Sequence, residues 1–127
     1  MATIAKDAKL VTLINVFTVT PDRQEQLVRM LDEATEEVMQ HQPGFISANI
    51  HASRDGHHVT DYAQWESEDA FQSMLKNPVA QKHMKACSEI AEAAPVLYDV
   101  KSVFDKSPAA EPQSVARALQ ARLSCDS

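Results

Sequence analysis

The sequence is poor in glycine, in cysteine and in positive charge, and each shortage narrows the range of possible functions. Only two glycines are present, Gly44 and Gly56, which nearly excludes a glycine-rich loop that cradles phosphate groups. The two cysteines, Cys87 and Cys125, lie far apart and form no CxxC pair, so neither a disulfide framework nor a zinc site is indicated. Twelve basic residues against eighteen acidic ones give a formal net charge of −6, which argues against nucleic acid as a partner.

Long apolar runs are also missing. No stretch approaches the length of a membrane-spanning helix, and the first residues lack the apolar core of a secretory signal peptide. Disulfide-bonded cysteine pairs are typical of proteins in oxidising compartments. The two widely separated cysteines therefore favour a reducing compartment. We therefore expect a soluble, cytoplasmic protein with no membrane partner.

The chain length allows one domain. Its 127 residues, 44% of them apolar, are enough for a single globular core. We expect an N-terminal extension over residues 1–9, one domain over 10–104, and a linker with a short helical tail over 105–127. In this tail the apolar residues recur at a spacing of four, which is typical of an amphipathic helix, at Val115, Leu119 and Leu123.

The first half of the domain predicts a strand followed by a helix. Residues 10–19 are rich in β-branched side chains and apolar at odd and even positions, as in a strand buried on both faces. Thr20-Pro21-Asp22 then offers a capping hydroxyl, a proline for the first helical position and an acid for the helix dipole. The helix carries one apolar side and ends at residues 41–44; that side consists of Leu27, Leu31, Ala34 and Val38.

The second half predicts a hairpin, a helical region and a last strand. Strands over 45–53 and 57–66 are joined by Asp55-Gly56, a strong hairpin signal because such a turn requires positive φ. A short helix begins at Ser67, is interrupted at Asn77-Pro78, and continues as a second helix to about Ala94, where Pro95 stops it. Residues 96–104 form the last strand.

The order strand, helix, strand, strand, helix, strand is typical of an α+β, ferredoxin-like domain. In that fold a four-stranded antiparallel sheet carries its helices on one face. The first and last strands look apolar on both faces, so the other face of the sheet needs cover as well. A second copy of the chain, pressed sheet to sheet, would supply it. We therefore expect a homodimer.

The hairpin puts two unusual residues on one face. Side chains alternate along a strand, so Asp61 and Trp65 share a face. The register with the preceding strand stays open at this point. A loop of two or four residues aligns Trp65 with Ile46, whereas a three-residue loop with a bulge at Gly56 aligns it with Phe45.

We expect a cavity between the sheet and the helices, lined by Asn15, Asp61, Trp65, Phe71 and His83. Each residue also has a purely structural explanation: Trp65 as a core residue, Asn15 as a hydrogen-bond partner of a helix end or strand bulge, and His83 as a satisfied histidine at the core boundary. Asp61 is the least ordinary, because a carboxylate on an apolar strand face needs a salt bridge, access to water or a raised pKa.

Several segments, taken together and in order, resemble the antibiotic biosynthesis monooxygenase family. They are NVF at 15–17, QPGF at 42–45, IHAS at 50–53, DG at 55–56 and YAQWES at 62–67. The resemblance covers about residues 10–104. It implies a dimeric α+β barrel that oxidises a phenolic, hydroquinone or anthrone-type aromatic with O₂ to a quinone, without metal or flavin.

The resemblance also implies roles for particular residues. Trp65 and His51 match residues of the family's substrate pocket, although His51, near a strand end, would suit a pocket mouth and simple exposure equally. Compared with the actinorhodin-type enzymes of the family, the chain differs at three positions. Asp61 replaces an asparagine, Phe71 replaces a tyrosine, and an arginine is expected near Met84. Because a carboxylate is a better base than an amide, we predict that Asp61 takes the phenolic proton while Trp65 stacks on the ring. The predicted catalytic residues are therefore Trp65 and Asp61, and the predicted substrate-binding residues are Asn15, His51, Phe71, His83 and Met84, with no metal ligand.

Two other functions stay open from the sequence. Haem-degrading monooxygenases of the same fold are similar at Asn15 and over residues 65–71. Their haem-ligating histidine, however, aligns with Met84, one residue past His83, and a shift of one residue turns a helical side chain by about 100°. Their ring-distorting tryptophan aligns with Met74. The second alternative is a non-enzymatic dimeric barrel that binds a small metabolite.

Overall fold

The computed structural model describes residues 9–106 of the chain. Within them lie four strands, three α-helices and two short 3₁₀ turns. The elements are β1 (Val11–Thr18), a 3₁₀ turn (Pro21–Arg23), α1 (Gln24–Glu37), a 3₁₀ turn (Met39–His41), β2 (Phe45–Ala52), β3 (His58–Trp65), α2 (Glu68–Leu75), α3 (Pro78–Ser88) and β4 (Glu92–Tyr98). Residues 1–8 of the predicted extension, and the predicted tail helix with Val115, Leu119 and Leu123, lie outside the described residues.

The four strands form one antiparallel sheet in the order β2-β3-β1-β4. The helices pack on the inner face of this sheet, which carries Leu13, Val59 and Trp65 among its buried residues. The core on this face also includes Leu27 of α1 and Phe71 of α2. The predicted α+β, ferredoxin-like fold is confirmed. No helix within residues 9–106 is long and apolar enough to cross a bilayer.

The hairpin combines the two registers that the sequence left open. The backbones of Ser53 and His58 pair across a four-residue loop, and Gly56 in that loop has φ 85°. This loop alone would align Trp65 with Ile46. A bulge between Phe45 and Ser47, however, shifts the pairing at the start of β2 by one residue. Trp65 is therefore opposite Phe45, although the bulge lies at the far end of the hairpin from Gly56.

Two of the three predicted helix starts are capped by a side chain, and at one of them the cap is the predicted residue, Ser67. Ser67 accepts a hydrogen bond from the backbone N–H of Ala70 at 3.1 Å, and Asn77 caps α3 in the same way. The helical region is thus broken at Asn77-Pro78, as predicted. The capping role predicted for Thr20 is wrong, because its hydroxyl makes no capping hydrogen bond and a 3₁₀ turn precedes α1.

The boundary between the last helix and the last strand lies earlier than predicted. Helix α3 ends at Ser88 and β4 begins at Glu92, so Pro95 lies inside a strand instead of ending a helix. Strand β4 is at the edge of the sheet and pairs only with β1. An edge strand tolerates proline when the missing N–H faces away from its neighbour, since no ladder hydrogen bond is then lost. Residues 99–104, predicted as strand, follow β4 without regular structure.

Gly44, at the entry to β2, should tolerate no side chain. Its φ is 86°, and a Cβ added there would overlap the Cβ of Ala70 at the start of α2. We expect Gly44→Ala to lower the free energy of unfolding by about 2–4 kcal/mol, from backbone strain and overpacking together. Urea denaturation of Gly44→Ala, Ala70→Gly and the double variant separates the two causes, because only the overlap is relieved in the double variant. A loss below about 0.5 kcal/mol in Gly44→Ala would contradict this description of the turn.

The outer face of the sheet keeps apolar side chains exposed. Register and alternation put Ile14 of β1 beside Val96 of β4, and Tyr98 next to them on the same face. Val96 and Tyr98 are each 47% exposed. An apolar strand face of this kind is typical of an interaction surface.

Candidate active site

A cavity of about 250 Å³ lies between the inner face of the sheet and the helices. Its lining is mostly apolar and includes four aromatic rings and three methionines: Phe17, Phe45, Trp65, Phe71, Met39, Met74 and Met84. Six of the seven predicted site residues line it, namely Asn15, Asp61, Trp65, Phe71, His83 and Met84. The predicted cavity is therefore confirmed, while the chemical roles of these residues stay predictions. A site that is apolar with few polar groups suits a flat, weakly polar ligand.

Asp61 is the carboxylate of this cavity. It lies in the middle of β3, opposite Asn15 of β1 and Ile50 of β2. Its Oδ1 atom is buried and, among the residues that the structure describes, has no hydrogen-bond partner. Burial raises the pKa of Asp61 to about 6, and the charge of protonated His51 opposes part of this rise. The predicted alternative of a salt bridge at the sheet edge is wrong, since β3 is an inner strand and Asp61 has no ion-pair partner within residues 9–106.

Trp65 lies at the end of β3, held between two phenyl rings. Its centroid is 5.5 Å from that of Phe45 and 6.2 Å from that of Phe71, both in edge-to-face geometry. The side chain is 2% exposed, yet residues 9–106 provide no acceptor for its indole Nε1–H. A buried, unpaired N–H costs free energy, so Trp65 has a donor available for a ligand. Phe71 contributes a rigid ring to this cluster and no polar group.

Asn15 is oriented by the edge strand. Its Oδ1 accepts the backbone N–H of Ala94 in β4 at 3.1 Å, directly beside Pro95. This bond occupies the oxygen end of the amide. The NH₂ group makes no hydrogen bond to the described residues and is a donor on the strand face that Asn15 shares with Asp61. Asn15 therefore has the structural role that the sequence allowed for, although its partner is a neighbouring strand and not a helix end or a bulge.

His83 connects two helices at the wall of the cavity. Its Nε2 is 2.9 Å from Oε2 of Glu37 at the end of α1. The histidine is therefore paired, as expected for a satisfied residue at the core boundary. Among residues 9–106 no group of three or more His, Cys, Asp or Glu side chains is arranged to hold a metal ion.

His51 is the predicted site residue that the structure separates from the cavity. It pairs with Thr60 across the hairpin, whereas its neighbour Ile50 pairs with Asp61. His51 consequently points to the outer face of the sheet and is exposed. The four-residue loop causes this, because a three-residue loop would have turned His51 to the inner face.

Sequence reasoning missed several lining residues on elements that it placed differently. Pro95 and Leu97 line the cavity from β4, and Met39 lines it from the 3₁₀ turn after α1. The sequence predicts a helix stop at Pro95, so it does not predict the cavity wall that β4 forms. Cys87 also lines the cavity, and burial raises the pKa of its thiol.

The chain is similar to proteins with assigned activities. Residues 10–86 match the sequence pattern of the family described as antibiotic biosynthesis monooxygenase. Over 104 residues the chain is 42% identical to tetracenomycin-F1 monooxygenase of Streptomyces glaucescens, covering 82% of this chain and 93% of that enzyme.

Two solved structures extend the likeness. SnoaB, described as a cofactor-independent oxygenase from Streptomyces nogalater, has a TM-score of 0.62 and 26% identity, covering 76% of this chain and 98% of its own. A conserved protein from Methanosarcina mazei Go1 has a TM-score of 0.67 at 14% identity, covering 74% and 95%, and shows the shared fold alone.

Proposed function

Because this chain belongs to the antibiotic biosynthesis monooxygenase family, we propose that it oxygenates a phenolic or anthrone-type aromatic with O₂ and needs no metal, flavin or haem. The enzyme is a monooxygenase, the activity for which its relatives are named. The substrate class, the quinone product and the roles of individual residues form the proposal.

One observation supports this function above the others. A carboxylate with a buried oxygen lies in an apolar cavity, on the same strand face as a tryptophan, and the described part of the chain offers no partner to that oxygen or to the tryptophan N–H. Asp61 and Trp65 are four residues apart on β3, which corresponds to about 13 Å between their Cα atoms. An unpaired carboxylate is costly for folding alone, and such costs are typical of catalytic groups.

The first half of the proposed reaction is deprotonation. Asp61 removes a proton from the CH₂ carbon of an anthrone, or from the hydroxyl of its enol tautomer, and the ring system takes up the negative charge. The NH₂ group of Asn15 donates a hydrogen bond to the anionic oxygen, which stabilises the charge as it forms. The surrounding apolar lining excludes water, so the anion is not reprotonated by solvent.

The second half is oxygen transfer. The aromatic anion passes one electron to O₂, and the resulting pair of radicals combines to form a C–O bond and a peroxide anion. Protonated Asp61 returns its proton to the peroxide. Loss of the remaining C–H proton, with cleavage of the O–O bond, gives a carbonyl and water. One CH₂ group and one O₂ thus yield one C=O and one H₂O.

An oxygen electrode tests this function. Protein treated with chelator and freed of flavin should consume one O₂ per 1,8-dihydroxyanthrone, with saturable kinetics well above the protein-free rate. The same protein, unfolded in urea and returned to the assay, serves as the control. Activity that returns only with added metal or flavin would refute the cofactor-free proposal. A Soret shift typical of axial histidine ligation on adding haem would replace it with haem degradation.

The proposal includes a homodimer that covers the outer sheet face. Val96 and Tyr98 are each 47% exposed there, beside Ile14. We expect light scattering at micromolar concentration to give twice the chain mass of 14.1 kDa, because burying this face removes apolar surface from water. Val96→Lys should shift the protein toward monomer, and Val79→Lys, at an exposed valine on α3, is the matched control. A monomeric parent protein would contradict this part of the proposal.

A further inference from the structure

Methionine side chains are concentrated at the cavity. Within residues 9–106 the chain has four methionines, and three of them line the cavity: Met39, Met74 and Met84. The fourth, Met30, lies on α1 outside the lining and packs against the other core cluster. A thioether is a soft group that peroxides oxidise to a sulfoxide. The proposed reaction forms a peroxide on the substrate in this cavity, so the lining methionines meet an oxidant that the protein itself generates.

Met84 lies level with Asp61, across the cavity. It shares one side of α3 with Ala80, four residues before it, and with Cys87, three residues after it. Ala80 packs in the core cluster at the Trp65 end of β3, and Cys87 packs in the cluster at the other end of that strand. Met84 therefore faces the middle of β3, where Asp61 lies, and both side chains line the same cavity. This is the place where the proposed deprotonation occurs and the peroxide forms.

Met84 is also easier to oxidise than the other sulfur-containing side chains of the lining. Met39 and Met74 pack in the cluster around Trp65, towards one end of β3, and Met74 is 4% exposed. Burial raises the pKa of the Cys87 thiol, so this thiol stays protonated and is a poor nucleophile. A thioether carries no proton, so its reactivity does not depend on ionisation.

We propose that Met84 takes an oxygen atom from the substrate peroxide in a side reaction, and that this oxidation limits the number of turnovers. The step rests on the proposed function, which supplies the peroxide. A sulfur lone pair attacks the terminal oxygen of the C–O–O–H group, and the O–O bond breaks with its electrons on the carbon-bound oxygen. The proton of the transferred OH moves to that oxygen. Sulfur loses two electrons, the peroxide gains them, and the products are methionine sulfoxide and a substrate alcohol.

The sulfoxide changes the chemistry of the lining. Oxidation converts a flexible apolar side chain into a polar one. Its oxygen is a hydrogen-bond acceptor and lies across the cavity from the carboxylate of Asp61, which is also an acceptor when it is ionised. The mostly apolar surface that would hold the aromatic rings is thereby reduced. We therefore expect activity to fall as Met84 is oxidised.

Labelled oxygen identifies the source of the oxidant. Protein freed of metal and flavin converts an excess of 1,8-dihydroxyanthrone under ¹⁸O₂, with catalase present, until its activity is lost. Its peptides are then analysed by mass spectrometry. We expect about one ¹⁸O atom per chain at Met84 and at least about tenfold less at Met30, because only Met84 lies beside the site where the peroxide forms. Met30 is the internal control, since both side chains are partly buried.

Two leucine variants form a matched pair. Met84→Leu keeps a similar volume and an apolar surface but has no sulfur to oxidise. It should complete at least about threefold more turnovers than the parent before half of its own initial activity is lost. Met30→Leu removes a sulfur atom outside the cavity and should lose activity after the same number of turnovers as the parent.

Two results would overturn the inference: turnover that leaves Met84 without ¹⁸O, or a Met84→Leu variant that loses activity as early as the parent. Failure of the proposed function looks different, because the anthrone then yields neither quinone nor labelled protein. In that case cumene hydroperoxide, an aromatic peroxide that needs no turnover, decides. Faster oxidation of Met84 than of Met30 by this probe supports the inference, and equal oxidation of the two overturns it.

Discussion

Replacing Asp61 by asparagine should make the protein slower and more stable at the same time. General-base assistance typically contributes a factor of about a hundred or more, so we expect kcat/KM of Asp61→Asn to fall by at least about a hundredfold at pH 8. The parent profile should rise with pH through an apparent pKa near 6, the value to which burial raises the pKa of Asp61. The variant should lack that rise. Initial O₂ uptake from pH 5 to 9, corrected for the uncatalysed rate, measures both.

The stability effect follows from the same pKa. The folded value of about 6 lies above the value of 3.8 for an unperturbed group, so the folded state binds the proton more tightly between these values. This contribution to stability is fully present below about pH 4 and is lost as pH rises through 6. At pH 8 the charged carboxylate therefore destabilises the fold by up to about 3 kcal/mol.

At pH 8 the free energy of unfolding of Asp61→Asn should accordingly exceed that of the parent by about 1–3 kcal/mol, so the variant should unfold at a higher temperature. At pH 4 the two proteins should unfold at similar temperatures. Thermal unfolding at the two pH values measures the direction of this difference in stability. Equal rates for parent and variant at every pH would make Asp61 a structural carboxylate and assign deprotonation to His83 or the solvent. A variant less stable than the parent at pH 8 would contradict the origin of the pKa shift.

Asn15→Asp should shift the whole rate profile to higher pH. Asn15 and Asp61 are directly opposite on neighbouring antiparallel strands, where Cβ atoms are about 5 Å apart. Two carboxylates at that distance repel by about 3 kcal/mol at an effective dielectric constant of 20, equivalent to roughly two pH units. The pair then retains one proton until about pH 7–8 and titrates as a unit. We expect activity at pH 7 to fall by at least about tenfold and the rate profile to move to higher pH. Activity should stay below that of the parent even at pH 9, because the substitution also removes the NH₂ donor that stabilises the substrate anion.

A matched control isolates the site from the change in net charge. Thr18→Asp adds the same charge to the same strand at an exposed position on the outer face, and we expect its profile to match that of the parent. Aspartate at position 15 still offers an oxygen to the Ala94 N–H, so β4 keeps its anchor. An unshifted profile in Asn15→Asp would show that Asp61 is not the group whose ionisation controls the rate.

Strand alternation was sufficient to predict the central pair of the site. Asp61 and Trp65 share a face in any register of β3, because residues of the same parity always do. The faces on which His51 and Phe45 lie, by contrast, depend on the register of β2. Both are odd-numbered residues of β2, and only the bulge between Phe45 and Ser47 allows Phe45 to face the cavity while His51 faces outward. No local signal at Ile46 marks that bulge, so the sequence could not assign these two residues.

The position of β4 depended on tertiary context. Ala91, Ala93 and Ala94 have a high intrinsic helix propensity, so the sequence predicts a helix up to Pro95. Pairing with β1 overrides that propensity, and the bond between Asn15 Oδ1 and the Ala94 N–H contributes to it. The contribution of Pro95 and Leu97 to the cavity wall follows from this pairing and was not accessible from the pattern alone.

Isotope labelling in a single turnover tests whether this chain by itself oxygenates an aromatic substrate with O₂. Protein freed of metal and flavin is mixed with less than one equivalent of 1,8-dihydroxyanthrone under ¹⁸O₂, and the product is analysed by mass spectrometry. If the protein performs the proposed reaction, the new carbonyl carries one ¹⁸O atom, one O₂ is consumed per substrate and no hydrogen peroxide accumulates. An unlabelled product with one equivalent of hydrogen peroxide, or no product until a cofactor is added, would contradict it.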